Sequence, residues 1–308
     1  MTPSVFIQNI TGKLRTHVVG EKLYQYSLLI RLHRPIGTLL LLWPTLTALW
    51  MASHGVPESH LIVIFCLGTL LMRSAGCAIN DVADRHVDPH VFRTQGRPLA
   101  TGTVQTREAV IVAVVLALLA FLLVLFLNWQ TTLLACAGVL IALIYPFMKR
   151  YTHLPQLFLG IAFAWGVPMA FAAVLGTTTQ VTWLLFLAAV VWPVAYDTMY
   201  AMVDREDDLK VGVKSTAILF GDADVFIVGC LQACVIVIYL LVGQQLELGA
   251  YYYFGVLVAA CLAAYQIYVI RNREPEKCFA AFLQNNWLGL AVFLGVVAHY
   301  ALGAESIA

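Results

Sequence analysis

The chain has 308 residues, of which 61% are hydrophobic and 11% are charged. Soluble globular domains carry about 25% charged residues, so this composition excludes an ordinary water-soluble enzyme and favours lipid as the main solvent. The net charge is +1, and no basic tract is interleaved with aromatic residues. The chain therefore gives no indication of nucleic-acid binding, and its expected partner is the lipid bilayer.

Apolar runs along the chain are long enough to cross a bilayer. Residues 109–127 contain no charged or polar side chain, and about 20 such residues span a hydrocarbon core. In lipid each segment must satisfy its own backbone hydrogen bonds, so the expected fold is all-α, a polytopic helical bundle. The sequence predicts nine spans, at 36–53, 60–79, 109–127, 131–147, 156–175, 182–199, 225–243, 250–269 and 286–302.

These spans define the domain organisation. We expect a cytoplasmic N-terminal segment (1–35), one transmembrane domain (36–302) with acidic cytoplasmic loops (80–107 and 200–224), and a short tail (303–308).

The basic residues indicate the orientation of the chain. All 18 Lys and Arg residues lie before the first predicted span or beside the loops after the second, fourth, sixth and eighth spans. Those beside the loop after the second span are Arg73, Arg85, Arg93, Arg97 and Arg107. By the positive-inside rule the N-terminus is cytoplasmic and the C-terminus is outside. The lack of an Arg-rich, acid-poor presequence favours a bacterial inner membrane.

A first acidic cluster follows the second predicted span. Asn80, Asp84 and Asp88 are spaced four residues apart, so one continuous helix would place them on one face with Asp81 beside them. Carboxylates at this spacing repel one another unless cations neutralise them. Hard oxygen ligands favour Mg²⁺, which proteins usually share between a few carboxylates and a phosphate.

A second acidic cluster follows the sixth predicted span. Asp197, Tyr200, Asp204 and Asp208 fall on one helical face. Solvated acids at helix ends would explain either cluster alone, but two matched clusters that begin at membrane depth favour a functional site. The predicted metal ligands are Asn80, Asp81, Asp84, Asp88, Asp197, Asp204 and Asp208, and the predicted catalytic residues among them are Asp84, Asp88, Asp204 and Asp208.

Basic residues accompany the acidic clusters. Arg93, Arg97 and Lys214 follow the acidic runs closely and can reach a metal-bound phosphate group. Topology alone accounts for basic residues in these loops, and it is the preferred explanation for Lys13, Lys22, Arg271 and Lys277. The predicted substrate-binding residues are Arg31, Arg34, Arg93, Arg97, Arg150, Tyr200 and Lys214.

The motifs resemble those of a known family. Asn-Asp-x-x-Asp-x-x-x-Asp (80–88), Tyr-Asp-x-x-Tyr-Ala-Met-Val-Asp-x-x-Asp-Asp (196–208) and Lys-Ser-Thr (214–216) look like the signatures of UbiA-type intramembrane prenyltransferases. The runs 34–44 and 145–156 are similar to the 4-hydroxybenzoate polyprenyltransferase branch of ubiquinone biosynthesis. His33 is a departure, because members often have Asp there.

The resemblance implies a helical bundle around a central cavity capped by two acidic loops. It also implies Mg²⁺-dependent transfer of a polyprenyl group from polyprenyl diphosphate to C3 of 4-hydroxybenzoate, with Arg150 binding the substrate carboxylate. Other aromatic acceptors, such as a naphthoate, a porphyrin or homogentisate, stay open within the family.

Two other classes of membrane protein stay open as well. A CDP-alcohol phosphotransferase would need an Asp-Gly-x-x-Ala-Arg run, but Asp84 is followed by Arg85. A secondary transporter would place its acids near the membrane midplane, whereas here they gather at one face.

The segregation of basic residues gives a testable topology. Reporter fusions after Gly55, Thr178 and Gly303 should all report the outer side of the membrane, because the loops at these positions lack Lys and Arg. Fusions within 85–105 serve as the cytoplasmic control. A cytoplasmic signal at any of the three positions would contradict the predicted orientation.

Overall fold

The computed structural model describes residues 18–91, 93–148 and 150–303, and no strand occurs among them. Predictions at Lys13, Arg15, Lys149 and residues 304–308 lie outside this part of the chain. The α-helices are α1 (Val18–Leu29), α2 (Ile36–Ala52), α3 (Ser59–Asp84), α4 (Thr106–Val124), α5 (Trp129–Met148), α6 (Pro155–Ala164), α7 (Gly166–Leu175), α8 (Gln180–Val211), α9 (Thr216–Phe220), α10 (Asp224–Gln245), α11 (Ala250–Ile270) and α12 (Pro275–Leu302). Short 3₁₀ helices lie at Asp88–His90 and Gly221–Ala223.

The all-α, polytopic prediction is confirmed. Eight helical segments of the described chain are long and apolar enough to cross a membrane, with α6–α7 and α9–α10 each counting as one segment. The shorter apolar helix α2 is the ninth. All nine overlap the predicted spans in order. Local signals set several boundaries: Pro155 and Pro275 begin α6 and α12, and a capping box at Thr179 and Thr182 begins α8.

Two predictions for the residues around the loop after the second span are wrong. α3 ends at Asp84, so Asp88 is not on the same α-helix and instead begins the following 3₁₀ helix. Pro89 supplies the reason, because it has no backbone N–H and its ring would clash with the carbonyl four residues earlier in a continued α-helix. Arg73 does not border the loop but lies inside α3, about three turns before its end.

The chain divides into two compact units, and the first comprises the described residues of 1–35 together with 71–119. Its apolar core is formed by α1, the second half of α3, the segment before α4 and the start of α4. The buried residues are Leu29, Ala78, Val104, Ala109 and Ala113. Lys22 of α1 donates to Glu108 of α4 at 2.9 Å, and the Tyr26 hydroxyl donates to the same carboxylate at 3.1 Å.

The second unit comprises residues 36–70 and 120–303 within the described chain. Its long helix α8 packs against α6, α10 and α12, and α12 also packs against α2 and α11. Two indoles fix α12, because Trp192 donates to Asn285 at 2.9 Å and Trp43 donates to Asn286 at 2.8 Å. These bonds satisfy polar groups that would otherwise be costly to bury.

Glycines allow the helices of the second unit to approach closely. A Cβ at Gly160 of α6 would lie 2.4 Å from the Val190 carbonyl oxygen of α8, and one at Gly166 would lie 2.3 Å from the Thr45 hydroxyl oxygen. The interpretation of Gly160 and Gly166 as sites of close helix packing is therefore confirmed. Small residues at interfaces are the usual means by which membrane helices pack, because lipid provides little hydrophobic drive for their association.

The Gly160 contact can be tested by adding one methyl group. Gly160→Ala should destabilise the folded protein by about 1–3 kcal/mol, because the new Cβ collides with backbone that cannot rotate away. Gly68→Ala is the matched control, since nothing lies within 4 Å of a Cβ at that position. Equal thermal unfolding of the two variants in detergent would show that the α6–α8 contact is looser than described.

Candidate functional site

Three aspartates at the end of α3 and just beyond it are almost completely buried. Asp81, Asp84 and Asp88 are 1%, 3% and 4% exposed. Asn80 donates its side-chain amide to Asp84 at 3.2 Å. The apolar part of α3 and the compact turn after it bring these groups together, although Asp88 belongs to a different helix.

Two arginines bind this cluster. Arg31, from the turn after α1, donates to Asp81 at 2.6 Å. Arg97 lies 3.2 Å from the same Asp81 oxygen and donates to both oxygens of Asp88, at 3.0 and 2.9 Å. Arg97 therefore bridges two acids that are seven residues apart. Buried carboxylates need such charged hydrogen bonds, because desolvation without compensation is expensive.

The electrostatics show how close these acids are to one another. Burial is the main effect that raises the pKa of Asp88 above its ordinary value, and the charges of Asp84 and Asp81 raise it further. Arg97 opposes these effects by attraction and by hydrogen bonding. A nearby cation would offset the repulsion that Asp88 experiences from Asp84 and Asp81.

Arg34 and Arg93 of the first unit extend the positive region. Partial desolvation lowers the pKa of Arg34, and the positive charges of Arg31 and Arg93 lower it further. Burial lowers the pKa of the neighbouring His33, and the positive charges of Arg34 and Arg31 lower it further. The predicted residues Arg31, Arg34, Arg93 and Arg97 thus form one interacting group beside the buried acids, and His33 adjoins them.

The second acidic cluster lies on α8 as predicted. This helix runs unbroken to Val211 and ends at Gly212, whose positive φ of 72° suits a glycine cap. Asp197, Asp204 and Asp208 are half-buried along it. Because they are spaced seven and four residues apart, they share one helical face.

Tyr200 belongs to an aromatic group on the same helix. Its ring lies 4.8 Å from Phe282 and 6.1 Å from Phe279 of α12. One turn earlier on α8, Tyr196 contacts Phe282 at 5.9 Å and Trp192 at 5.3 Å. Aromatic side chains therefore continue from the apolar part of α8 to its acidic part.

Lys214 and Arg150 lie at neighbouring positions of the second unit. The Lys214 ammonium donates to the Tyr151 carbonyl at 3.4 Å, next to the exposed Arg150. The Arg150 guanidinium lies 5.8 Å from the centroid of the Phe147 ring. The segment carrying Lys214 is fixed by the Gln156 side chain, which accepts from the Thr216 backbone N–H at 3.3 Å.

Comparisons with known proteins identify the family of this chain. The sequence profile of the UbiA prenyltransferase family matches residues 41–296. A 4-hydroxybenzoate octaprenyltransferase of Marinobacter nauticus is 59% identical over 92% of this chain and 96% of the relative. The protein of the same name from Pseudomonas aeruginosa is 53% identical over 97% and 100% of the two chains. This chain belongs to the UbiA prenyltransferase family.

Solved structures support the same fold. A UbiA homolog from Aeropyrum pernix has a TM-score of 0.74 at 23% identity, covering 84% of this chain and 97% of its own. A UbiA homolog from Archaeoglobus fulgidus, bound to GPP and Mg²⁺, has a TM-score of 0.66 at 18% identity, with 89% and 99% covered. The protein is a multi-pass membrane prenyltransferase, so the CDP-alcohol phosphotransferase and transporter alternatives are excluded.

The acidic residues of this UbiA-family protein suit a hard divalent cation by their chemistry. Carboxylate and amide oxygens are the preferred ligands of Mg²⁺. In the described part of the chain no three His, Cys, Asp or Glu side chains converge on one metal position. Arg97 holds Asp81 and Asp88 instead. A carboxylate has about four lone-pair positions, so these acids can accept from Arg97 and still bind a cation.

One charged side chain of this UbiA-family protein, Arg73, was not predicted from the sequence to be functional. Arg73 lies on α3, seven residues before Asn80 and eleven before Asp84, and therefore on the same helical face. Its guanidinium donates to the buried Cys77 thiol, and its Nε is buried without a hydrogen-bond partner. A charged group inside an apolar helix is a functional candidate by default. The i, i+7, i+11 spacing was the available signal.

Proposed function

We propose that this protein transfers a polyprenyl group from polyprenyl diphosphate to C3 of 4-hydroxybenzoate and releases diphosphate, a step of ubiquinone biosynthesis. The identity of 59% over 92% of the chain to a relative named 4-hydroxybenzoate octaprenyltransferase carries this proposal. It favours 4-hydroxybenzoate over a naphthoate, a porphyrin or homogentisate as the acceptor.

The donor diphosphate would be held through Mg²⁺ by the predicted acidic ligands. Mg²⁺ would be bound by oxygens of the seven predicted ligands, which are Asn80, Asp81, Asp84, Asp88, Asp197, Asp204 and Asp208. When bound, Mg²⁺ supplies charge neutralisation of the diphosphate leaving group. The buried acids at the end of α3 support this role, as does the structural likeness to a homolog bound to GPP and Mg²⁺.

Basic side chains would complete the diphosphate site. Arg31, Arg34, Arg93 and Arg97 form one positive group beside the first acidic cluster, and guanidinium groups bind phosphate oxygens in a bidentate manner. Lys214 would contribute a further ammonium group beside the second cluster. These residues orient the diphosphate so that its bond to the prenyl carbon can break.

The aromatic group on α8 and α12 would protect the reacting carbon. When the C–O bond breaks, its electrons leave with diphosphate and an allylic cation remains. The rings of Trp192, Tyr196 and Tyr200 follow one another along α8 toward its acidic part, and Phe282 of α12 contacts the last two. Such rings exclude water and attract a cation through their faces. C3 of the acceptor then bonds to the prenyl carbon, and its displaced proton leaves with diphosphate.

Two arginines are candidates for binding the carboxylate of 4-hydroxybenzoate. Arg150 is exposed beside Lys214, and its planar guanidinium can bind a carboxylate with two hydrogen bonds. Arg73 is the second candidate, because its partly buried guanidinium shares a helical face with Asn80 and Asp84. Arg31, which the sequence also predicts to bind substrate, already donates to Asp81.

The proposed location is the inner membrane of a bacterium, with both acidic clusters at the cytoplasmic face. The bacterial sources of the relatives and the distribution of Lys and Arg support it. The direct test of the reaction is product mass. Purified protein should be given one prenyl diphosphate, Mg²⁺ and several aromatic acceptors in parallel. A prenylated product from another acceptor, with none from 4-hydroxybenzoate, would refute the proposal.

The acidic residues should be individually essential for turnover. Asp84→Ala, Asp88→Ala, Asp204→Ala and Asp208→Ala should each lower the rate on the order of 10²-fold or more, because a lost ligand weakens stabilisation of the leaving group. Glu206→Ala is the matched control, since this exposed acid lies on the opposite face of α8. Near-normal turnover at saturating Mg²⁺ in two or more of the four variants would contradict the metal assignment.

Arg150 should distinguish the acceptor from the donor. Arg150→Lys keeps the charge but loses the planar fork, so the KM for 4-hydroxybenzoate should rise about tenfold or more, equivalent to about 1.5–3 kcal/mol. The KM for the prenyl diphosphate should change little. Arg271→Lys is the control, because Arg271 lies in another loop, after α11, and stacks on Tyr268 of that helix. If Arg150→Lys leaves both KM values unchanged while Arg73→Lys raises that for the acceptor, Arg73 binds the carboxylate.

A further inference from the structure

A buried ion cluster lies beside the second acidic motif, and the proposed reaction does not use it. Asp224, the first residue of α10, is 0% exposed. Its carboxylate accepts hydrogen bonds from Arg205 of α8 and, at 3.0 Å, from Nε of Arg273. It also accepts from the backbone N–H of Val225 at 2.6 Å. One carboxylate therefore joins two distant segments to the start of α10.

The backbone conformation and hydrogen bonds of Arg273 fix its position beside Asp224. Arg273 has a φ of 56°, in the left-handed region that non-glycine residues rarely adopt. Its Nη2 donates to the Asp222 carbonyl at 2.6 Å. The hydrogen bond to Asp224 is the main cause that raises the pKa of Arg273. The loop between α11 and α12 is thus fastened to the turn before α10.

A second fastening lies on the same side of α8. The Thr198 hydroxyl is 2.6 Å from the Thr216 hydroxyl, and both side chains are completely buried. Thr198 and Arg205 are seven residues apart, so they face the same direction two turns from each other. The segment from Thr216 to Asp224 is therefore bound to α8 at two levels.

This attachment fixes the rotation of α8 about its own axis. Successive residues of a helix are about 100° apart, so the direction of Arg205 determines the direction of Asp204 beside it. Asp208 lies one turn after Asp204 and points in nearly the same direction from the helix axis. A rotation of the end of α8 would move both carboxylates together, and the bond from Arg205 to Asp224 opposes that rotation.

Stability alone is a weak reason for such a cluster. Replacement of a buried ion pair or triad by apolar residues is often neutral or stabilising, because desolvation of the charges offsets their attraction. Directional bonds nonetheless specify one arrangement where an apolar contact would allow several. The value of this cluster therefore lies in the position that it imposes on α8.

We propose that Arg205 and Asp224 are positioning residues, which hold the end of α8 so that Asp204 and Asp208 are directed at the Mg²⁺-diphosphate. The inference rests on the proposed function, because it assigns these two acids to that ligand. In this role Arg205 acts through its bond to Asp224 and through α8. Partners that orient metal ligands commonly change metal affinity by 10–100-fold when they are removed.

The experiment uses full-length purified protein with Asp224→Asn, Arg205→Gln and the double variant. Asp222→Asn is the matched control, since it makes the same chemical change two residues away at an exposed side chain. The Mg²⁺ concentration for half-maximal transfer should rise about tenfold in Asp224→Asn and Arg205→Gln. The KM for 4-hydroxybenzoate should stay within about twofold, and the double variant should resemble the single ones, because the two residues act as one unit.

Two readouts do not depend on turnover. The rise in melting temperature given by Mg²⁺ with inorganic diphosphate should be smaller in Asp224→Asn than in Asp222→Asn. Without Mg²⁺, amide hydrogen exchange within 203–211 should be faster in Asp224→Asn. Arg205→Lys should restore part of the Mg²⁺ response that Arg205→Gln loses.

The outcomes separate this inference from the proposed function. An Asp224→Asn protein that melts earlier but keeps the Mg²⁺ requirement of the unchanged protein would overturn the positioning role, leaving a merely structural bond. If Asp224→Asn fails to fold, the comparison of Arg205→Lys with Arg205→Gln decides the matter, and equal Mg²⁺ requirements would overturn the inference. If the unchanged protein neither transfers a prenyl group nor gains stability from Mg²⁺ with diphosphate, the proposed function fails first.

Discussion

Compensation of buried negative charge at the end of α3 is the constraint on which the first unit depends. Asp81, Asp84 and Asp88 are removed from water, and such a transfer is costly unless opposite charge accompanies it. Arg31 and Arg97 supply that charge from outside α3. These ion pairs therefore hold the turn after α1 and the loop before α4 against the end of α3. The site and the local fold are stabilised by the same bonds.

In the second unit, helix packing and hydrogen bonds together fix the helix that carries the second acidic cluster. The unit's acids on α8 are half-buried, whereas its completely buried acid is Asp224 on α10. Close approach at Gly160, where α6 meets the Val190 carbonyl, fixes the apolar part of α8. Polar bonds from Thr198 and Arg205 fix the part that follows. Packing and hydrogen bonding thus act on successive turns of one helix.

Sequence alone predicted those features that depend on local composition. Nine apolar runs predicted the nine apolar helical segments of the described chain, because each membrane segment must satisfy its own backbone. The spacing within 197–208 predicted the common face on α8. The same reasoning from spacing was wrong for Asp88, because it extended the α-helix of Asn80 and Asp84 without regard to Pro89. Identical four-residue spacing therefore gives different backbones in the two acidic clusters.

Contacts between residues far apart in the sequence were beyond prediction. Arg97 is sixteen residues from Asp81, and Arg273 is 49 residues from Asp224. Nothing in the composition of either loop specifies its partner, because positive charge there already satisfies the positive-inside rule. Arg73 was counted among those topological charges for the same reason. Only the path of the chain distinguishes an arginine that binds an acid from one that marks the cytoplasmic side.

The length of α8 has a consequence for the lipid around the protein. Its 32 residues, continuous through Pro193, extend about 48 Å, whereas a hydrocarbon core is about 30 Å thick. Asp204 and Asp208 therefore lie on the same continuous helix that crosses the bilayer, and no loop separates them from the membrane-spanning part. A thicker or thinner membrane changes the tilt of such a helix by hydrophobic mismatch. The height of these carboxylates above the acyl chains, and with it access for a lipid-borne tail, is coupled to bilayer thickness.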